Sequence, residues 1–96
     1  MIIRMKDFGV VLESRELAKR LVESFVDILE KRPDDNIRLD FSGIRVVSGF
    51  FADELIGGIV QLLGFEKFEK SVSLTNMSDL NRIWLEKAVE KHGKNK

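Results

Sequence analysis

With 96 residues, no cysteine, and sixteen acidic side chains balancing sixteen basic ones, the chain has room for a single domain, 1–96, around one core. The missing cysteines exclude disulfides, thiolate nucleophiles and sulfur-ligated metals, and zero net charge offers no global field for nucleic acid or an anionic membrane. The balance of 44% hydrophobic and 33% charged residues is that of a globular chain, no stretch approaches the ~18 apolar residues of a membrane span, and MIIRMKDFG is too short for a signal peptide, so a soluble cytoplasmic protein is expected.

Residues 2–5 (IIRM) and 10–12 (VVL) are short β-prone pieces separated by Lys6-Asp7-Phe8-Gly9, which suits a hairpin or one bent strand. From Ser14 the period changes. Leu17, Leu21, Val22, Phe25, Val26 and Leu29 recur at spacings of three and four, so an amphipathic helix is expected with Ser14 as N-cap and Pro33 disfavouring its continuation. Ile37, Leu39 and Phe41 alternate with Arg38 and Asp40 as a strand, which Ser42-Gly43 breaks. Ile44, Val46 and Val47 lead to Ser48-Gly49-Phe50, and residues 50–63 are then apolar on almost every face of a helix that Gly64 should end. Phe65-Glu66-Lys67-Phe68 reads as a half-turn or loop and 71–75 (SVSLT) as another strand. Ser78 should cap a last helix with an inward stripe of Leu80, Ile83, Trp84, Ala88 and Val89, fraying from His92 onward. The order β(β)-α-β-α-β-α predicts an α/β fold, a small mostly parallel or mixed four-stranded sheet with three helices.

Chemistry has few candidates. Asp40 with Asp53 or Glu54 are the only close carboxylate pairs in a plausible site, and the helix dipole alone favours Asp53 and Glu54 in the opening turns of their helix. Asp40, before the Ser-Gly turn, either satisfies loop N–H groups or faces a ligand. His92, the only histidine, has no Cys, Asp or Glu at ligand spacing, so neither a triad nor a metal site is expected. Gly57-Gly58 inside a helix implies a close approach, against the sheet or a second subunit, and lacks the lysine and hydroxyl residue of a phosphate loop. Arg15 is poorly placed for the dipole and suggests a carboxylate partner, Asp40 or Asp53. Phe50, beside the core candidate Phe51, is either core or an exposed anchor. The basic excess from Arg82 to Lys96 reads as a solvated helix end rather than a phosphate-binding patch.

The segments LDFSGI and VVSGFFADEL, followed by a Leu/Ile-rich helix closed by glycine, resemble the STAS-like domain family of unknown function, over most of the chain from Phe8-Gly9 and Ser14-Arg15 to Gly64. More distantly they are similar to anti-sigma-factor antagonists, whose equivalent loop carries a phosphorylatable serine that switches binding to a kinase-type anti-sigma factor. In ungapped placement Ser48 falls on the acidic residue of the antagonists' Asp-Ser-Ser-Gly pattern, Gly49 on the first serine and Phe50 on the phosphoacceptor, which a phenylalanine cannot replace. Unless the loop is shifted by two residues so that Ser48 takes the acceptor's place, the resemblance implies a fold and a protein-binding surface more than that switch.

These residues together point to a non-enzymatic regulatory module that needs no cofactor or metal and binds through the 48–50 loop and helix 50–63. Ser48, Gly49 and Phe50 form the candidate surface, and Asp53, Glu54, Arg15 and Asp40 supply specificity. The resemblance implies a kinase-like ATP-binding regulator as protein partner, and no nucleic acid or membrane is expected. The rival reading is a small-ligand or nucleotide sensor holding an anion on the helix N–H groups near Ser48-Gly49. A third is a homodimer through the second helix.

Overall fold

The computed structural model describes residues 1–94. In chain order they form β1 (Ile2–Arg4), a 3-10 turn (Met5–Phe8), β2 (Val11–Leu12), α1 (Arg15–Lys31), β3 (Ile37–Asp40), β4 (Val46–Val47), α2 (Gly49–Leu63), α3 (Phe65–Ser71), β5 (Val72–Thr75) and α4 (Asp79–Lys94). Every strand pairing is parallel, as helices between strands demand, but the strands build two sheets: β1-β3-β5 and β2-β4. The expected four-stranded sheet with three helices is thus corrected to three plus two strands with four helices among the described residues. IIRM and VVL do not form a hairpin, because the 3-10 turn inserts the fully buried Met5 between them and each strand finds its own partner far along the chain.

Alternation gives the larger sheet two unlike faces. Ile37, Leu39 and Val72 are buried under the helices, whereas Ile2, Arg38 and Ser73 form one row on the opposite face and Arg4, Asp40 and Thr75 the next. This second face is largely open. Asp40 there accepts hydrogen bonds from the Ser42 backbone N–H and from Asn76 Nδ2, each at 2.9 Å. The Asn76 bond first and the Ser42 bond next hold its carboxyl below the usual carboxylate range.

Helix α1 begins as expected, with Ser14 Oγ accepting from Leu17 N–H at 3.0 Å, and it ends before Pro33. Helix α2 lies between α1 and α4. Its inner face, Phe51, Ala52, Leu55, Ile56 and Ile59, fills the core. The glycine pair sets the spacing of this helical layer: a Cβ on Gly57 would stand 2.6 Å from the His92 ring of α4, and one on Gly58 would stand 2.7 Å from Val22 of α1. The close approach expected at Gly57-Gly58 is therefore made to the flanking helices. Gly64 closes α2 at φ +82° and α3 follows at once, where a loop was expected. Phe68 is its buried anchor, and because Ser71 is still helical the strand starts at Val72.

The last helix corrects the expected inward stripe. Ser78 does cap it, accepting from Asn81 N–H at 3.2 Å. The buried residues, however, are Asn81, Leu85 and Ala88, while Leu80, Ile83 and Trp84 face outward. Asn81 explains the rotation: its Oδ1 accepts from Val47 N–H at 3.0 Å and its Nδ2 donates to Ile44 O at 3.3 Å, so it serves backbone groups of β4 and of the turn before it that β2 leaves unpaired. With Asn81, Leu85 and Ala88 turned inward, Leu80 is carried to the outside and Trp84 to the flank. The helix continues through His92 and Gly93 to Lys94 instead of fraying, and residues 95 and 96, Lys96 of the basic excess among them, lie outside the described residues.

Candidate functional site

The amino end of α2 and the outer face of α4 enclose an open groove of about 620 Å3. The buried Val47 of β4 and Ala88 of α4 form its apolar floor, and the more exposed Val46, Phe50 and Trp84 line it above. A groove of this size, lined mainly by apolar and aromatic atoms with few polar groups, has the character of a binding site. Phe50 is 65% exposed and Trp84 45%, with Leu80 (76%) and Ile83 (50%) continuing the apolar surface along α4. Val11 extends it over β2, in register with Val46 and likewise outward.

Ser48 positions this end of α2. Its Oγ accepts from Phe51 N–H at 3.0 Å as the N-cap and donates to Glu13 O at 2.6 Å, which ties α2 to the chain just after β2. A Cβ on Gly49 would lie 3.0 Å from the Trp84 indole, so the ring packs closely against the first turn of α2. Each aromatic wall also carries a cation: the Arg15 guanidinium is 5.3 Å from the Phe50 ring centre and the Lys87 ammonium 5.2 Å from that of Trp84.

At the far end of the groove Asp53 of α2 gathers side chains from the two flanking helices. Arg15 of α1 donates to its Oδ2 at 2.9 Å, while Lys91 Nζ and His92 Nε2 of α4 both lie 2.9 Å from its Oδ1. Arg15 also reaches Glu54 at 3.2 Å. Lys91 first, then Arg15 and His92, hold the Asp53 carboxyl far below the usual carboxylate range, against the opposing effect of its partial burial. The expected partnership of Arg15 with Asp53 is thus present. Asp40 takes no part: its partners are Ser42 and Asn76 on the sheet, so the candidate pairing of Asp40 with Asp53, Glu54 or Arg15 is not formed.

The structure therefore brings Ser48, Gly49, Phe50, Asp53, Glu54 and Arg15 to one end of the helical layer and leaves Asp40 elsewhere. Sequence reasoning missed Trp84, Lys87 and Lys91, having assigned Trp84 to the core. Lys87 and Lys91 fall on the same outward stripe as Leu80 and Trp84, a spacing of four, three and four that was legible as a second face of the helix. His92 has an acidic partner after all, 39 residues away in sequence and so invisible to any local spacing rule.

Comparison with known proteins adds one finding. The family model described as a STAS-like domain of unknown function (DUF4325) matches residues 18–82, about two thirds of the chain. That segment contains Asp40, Ser48, Gly49, Phe50, Asp53 and Glu54, whereas Arg15, Trp84, Lys87 and Lys91 lie outside it. No curated protein and no solved structure matches the chain.

Proposed function

Since the chain belongs to the STAS-like domain family of unknown function, we propose that it is a non-enzymatic regulatory module that binds a protein partner through the groove between the amino end of α2 and the outer face of α4. One observation carries this reading: Phe50, a large apolar side chain with no packing need to be exposed, stands 65% exposed beside the outward Trp84, Leu80 and Ile83. Contiguous exposed apolar surface with aromatic anchors and a charged rim is the composition of a recognition site. Of the helix 50–63 expected from sequence this surface uses only the amino end, because Val22 of α1 and His92 of α4 close in on Gly58 and Gly57 in its middle, and α4 supplies the other wall.

The Ser48 hydroxyl is engaged twice, as N-cap of α2 and as donor to Glu13 O, and a phosphate on it would break the second of these bonds. The anion-sensor reading has less support than protein binding. Ser48 Oγ already occupies the Phe51 N–H, and Asp53 already neutralises Arg15 and Lys91. By resemblance, a kinase-like ATP-binding regulator is the first partner to try. The test is affinity capture from the native host with the wild-type chain and with Phe50→Asp, followed by mass spectrometry. A partner retained by the first and lost by the still-folded second is the expected result, and an identical set with both refutes this surface.

A further inference from the structure

On the outward stripe of α4, Leu80 and Trp84 come first and Lys87 and Lys91 follow, with Arg15 joining them from α1 across Asp53. Val46, Phe50 and Trp84 supply the apolar and aromatic lining, with Arg15 over the Phe50 ring and Lys87 over that of Trp84. Arg15 is paired with Asp53 and Glu54 and Lys91 with Asp53, which leaves Lys87 as the excess charge of the groove. Lys87 has no carboxylate among its described contacts, and its ammonium sits over the Trp84 ring.

Resting on the reading above that this groove binds protein, we infer that its occupant is a short acidic segment of a partner protein, with one or two aliphatic or aromatic anchors seated against Phe50 and Trp84 and an adjacent Asp or Glu side chain over Lys87. Charge complementarity selects this occupant over a second copy of the chain: the same groove on a second copy brings three cations and, as its lining carboxylate, only Asp53, which is already paired, so it has nothing to offer Lys87. Concavity selects it over a membrane surface. A planar bilayer would reach Leu80, Ile83 and Phe50 but not the floor at Val47 and Ala88, whereas a peptide side chain can fill that depth. The ion pairs of Asp53 hold Arg15 and Lys91 in place, so the rim beside Lys87 is fixed before the partner arrives.

The test uses random displayed peptides of about 15 residues, roughly four helical turns, selected on the intact chain, with Trp84 as the reporter because it is the only tryptophan. Enriched peptides are expected to combine an apolar anchor with neighbouring Asp or Glu and to shift Trp84 emission on titration. Their affinity should fall at least about tenfold in Lys87→Glu, and strongly with added salt. Lys87→Gln, equally folded by circular dichroism, should fall in between. Peptides that bind, are lost in Phe50→Asp, yet carry no acidic bias and ignore Lys87→Glu overturn the acidic occupant and leave the protein-binding groove standing. Enrichment insensitive to Phe50→Asp, or no enrichment, overturns both. Concentration-dependent dimerisation abolished by Phe50→Asp assigns the groove to a second copy, and sedimentation with phosphatidylserine vesicles in the absence of peptide binding assigns it to a membrane; either result overturns the inference.

Discussion

The rotation of α4 decides whether a groove exists, and it is measurable with a pair of leucines. Leu85 is fully buried and Leu80 is 76% exposed, roughly 140° apart around the helix axis. Truncating a fully buried leucine to alanine removes its transfer free energy and leaves a cavity, for a cost of about 3 kcal/mol. A chain of this length has a total stability of roughly 5–14 kcal/mol, so Leu85→Ala should consume a large part of it. In urea, with a slope of about 1.5 kcal/mol/M, the midpoint should fall by about 2 M. Leu80→Ala keeps good helix propensity and gives up little burial, so its midpoint should move by no more than about 0.3 M, or 0.5 kcal/mol. Equilibrium urea titrations followed by circular dichroism at 222 nm provide the comparison. If Leu80→Ala costs as much as Leu85→Ala, then α4 presents its Leu80-Trp84 stripe to the core. The groove and every conclusion drawn from it would then fail.

Three further outcomes follow from the same geometry. Asn81→Ala strips partners from Val47 N–H and Ile44 O in the interior and should cost about 2–4 kcal/mol in the same titration, more than its helix propensity returns. Asp53→Asn should cost about 1–2 kcal/mol at pH 7, since Arg15 and Lys91 are partly solvated. Because the folded carboxyl is held far below its unfolded value near 3.9, this contribution is complete above pH ~4 and is lost as pH falls through the folded value, so the wild-type advantage should persist at pH 5 and shrink in more acid buffer. Gly57→Ala should destabilise the wild-type chain, because its Cβ displaces the His92 ring from Asp53, but should turn stabilising by up to about 1 kcal/mol in a His92→Ala background, where only the gain in helix propensity remains.

Local signals were read correctly where a residue's role depends on its neighbours in sequence. Ser14 and Ser78 cap helices, Gly64 ends one, and alternation at 37–41 and within 71–75 marks the strands Ile37–Asp40 and Val72–Thr75. Helix α3 escaped notice because Phe65 and Phe68 give a single spacing of three, too little to establish a period. The division into two sheets was not legible, since IIRM and VVL are equally β-prone and only distant partners separate them. The face of α4 was misjudged for a different reason. Two stripes compete on that helix, and counting apolar residues favours Leu80, Ile83 and Trp84, whereas the backbone of β4 needs the one polar side chain, Asn81, inside. The same misjudgement concealed half of the candidate site: Arg15, Phe50 and Asp53 were found from one wall of a groove whose other wall had been assigned to the core.

The register of the strands bears on how the chain acquires its fold. Each strand pairs with residues 35 or 36 positions further on or further back, and no two neighbouring strands form a hairpin. Forming any ladder therefore requires closure of a loop that contains at least one helix, an entropic toll met before the first sheet hydrogen bond is made. Folding should begin with docking of α1 on α2, where Val22 meets Gly58, and the β-structure should assemble late and all together. During synthesis, β1 and β2 must wait unpaired until the segment about 35 residues behind them has left the ribosome.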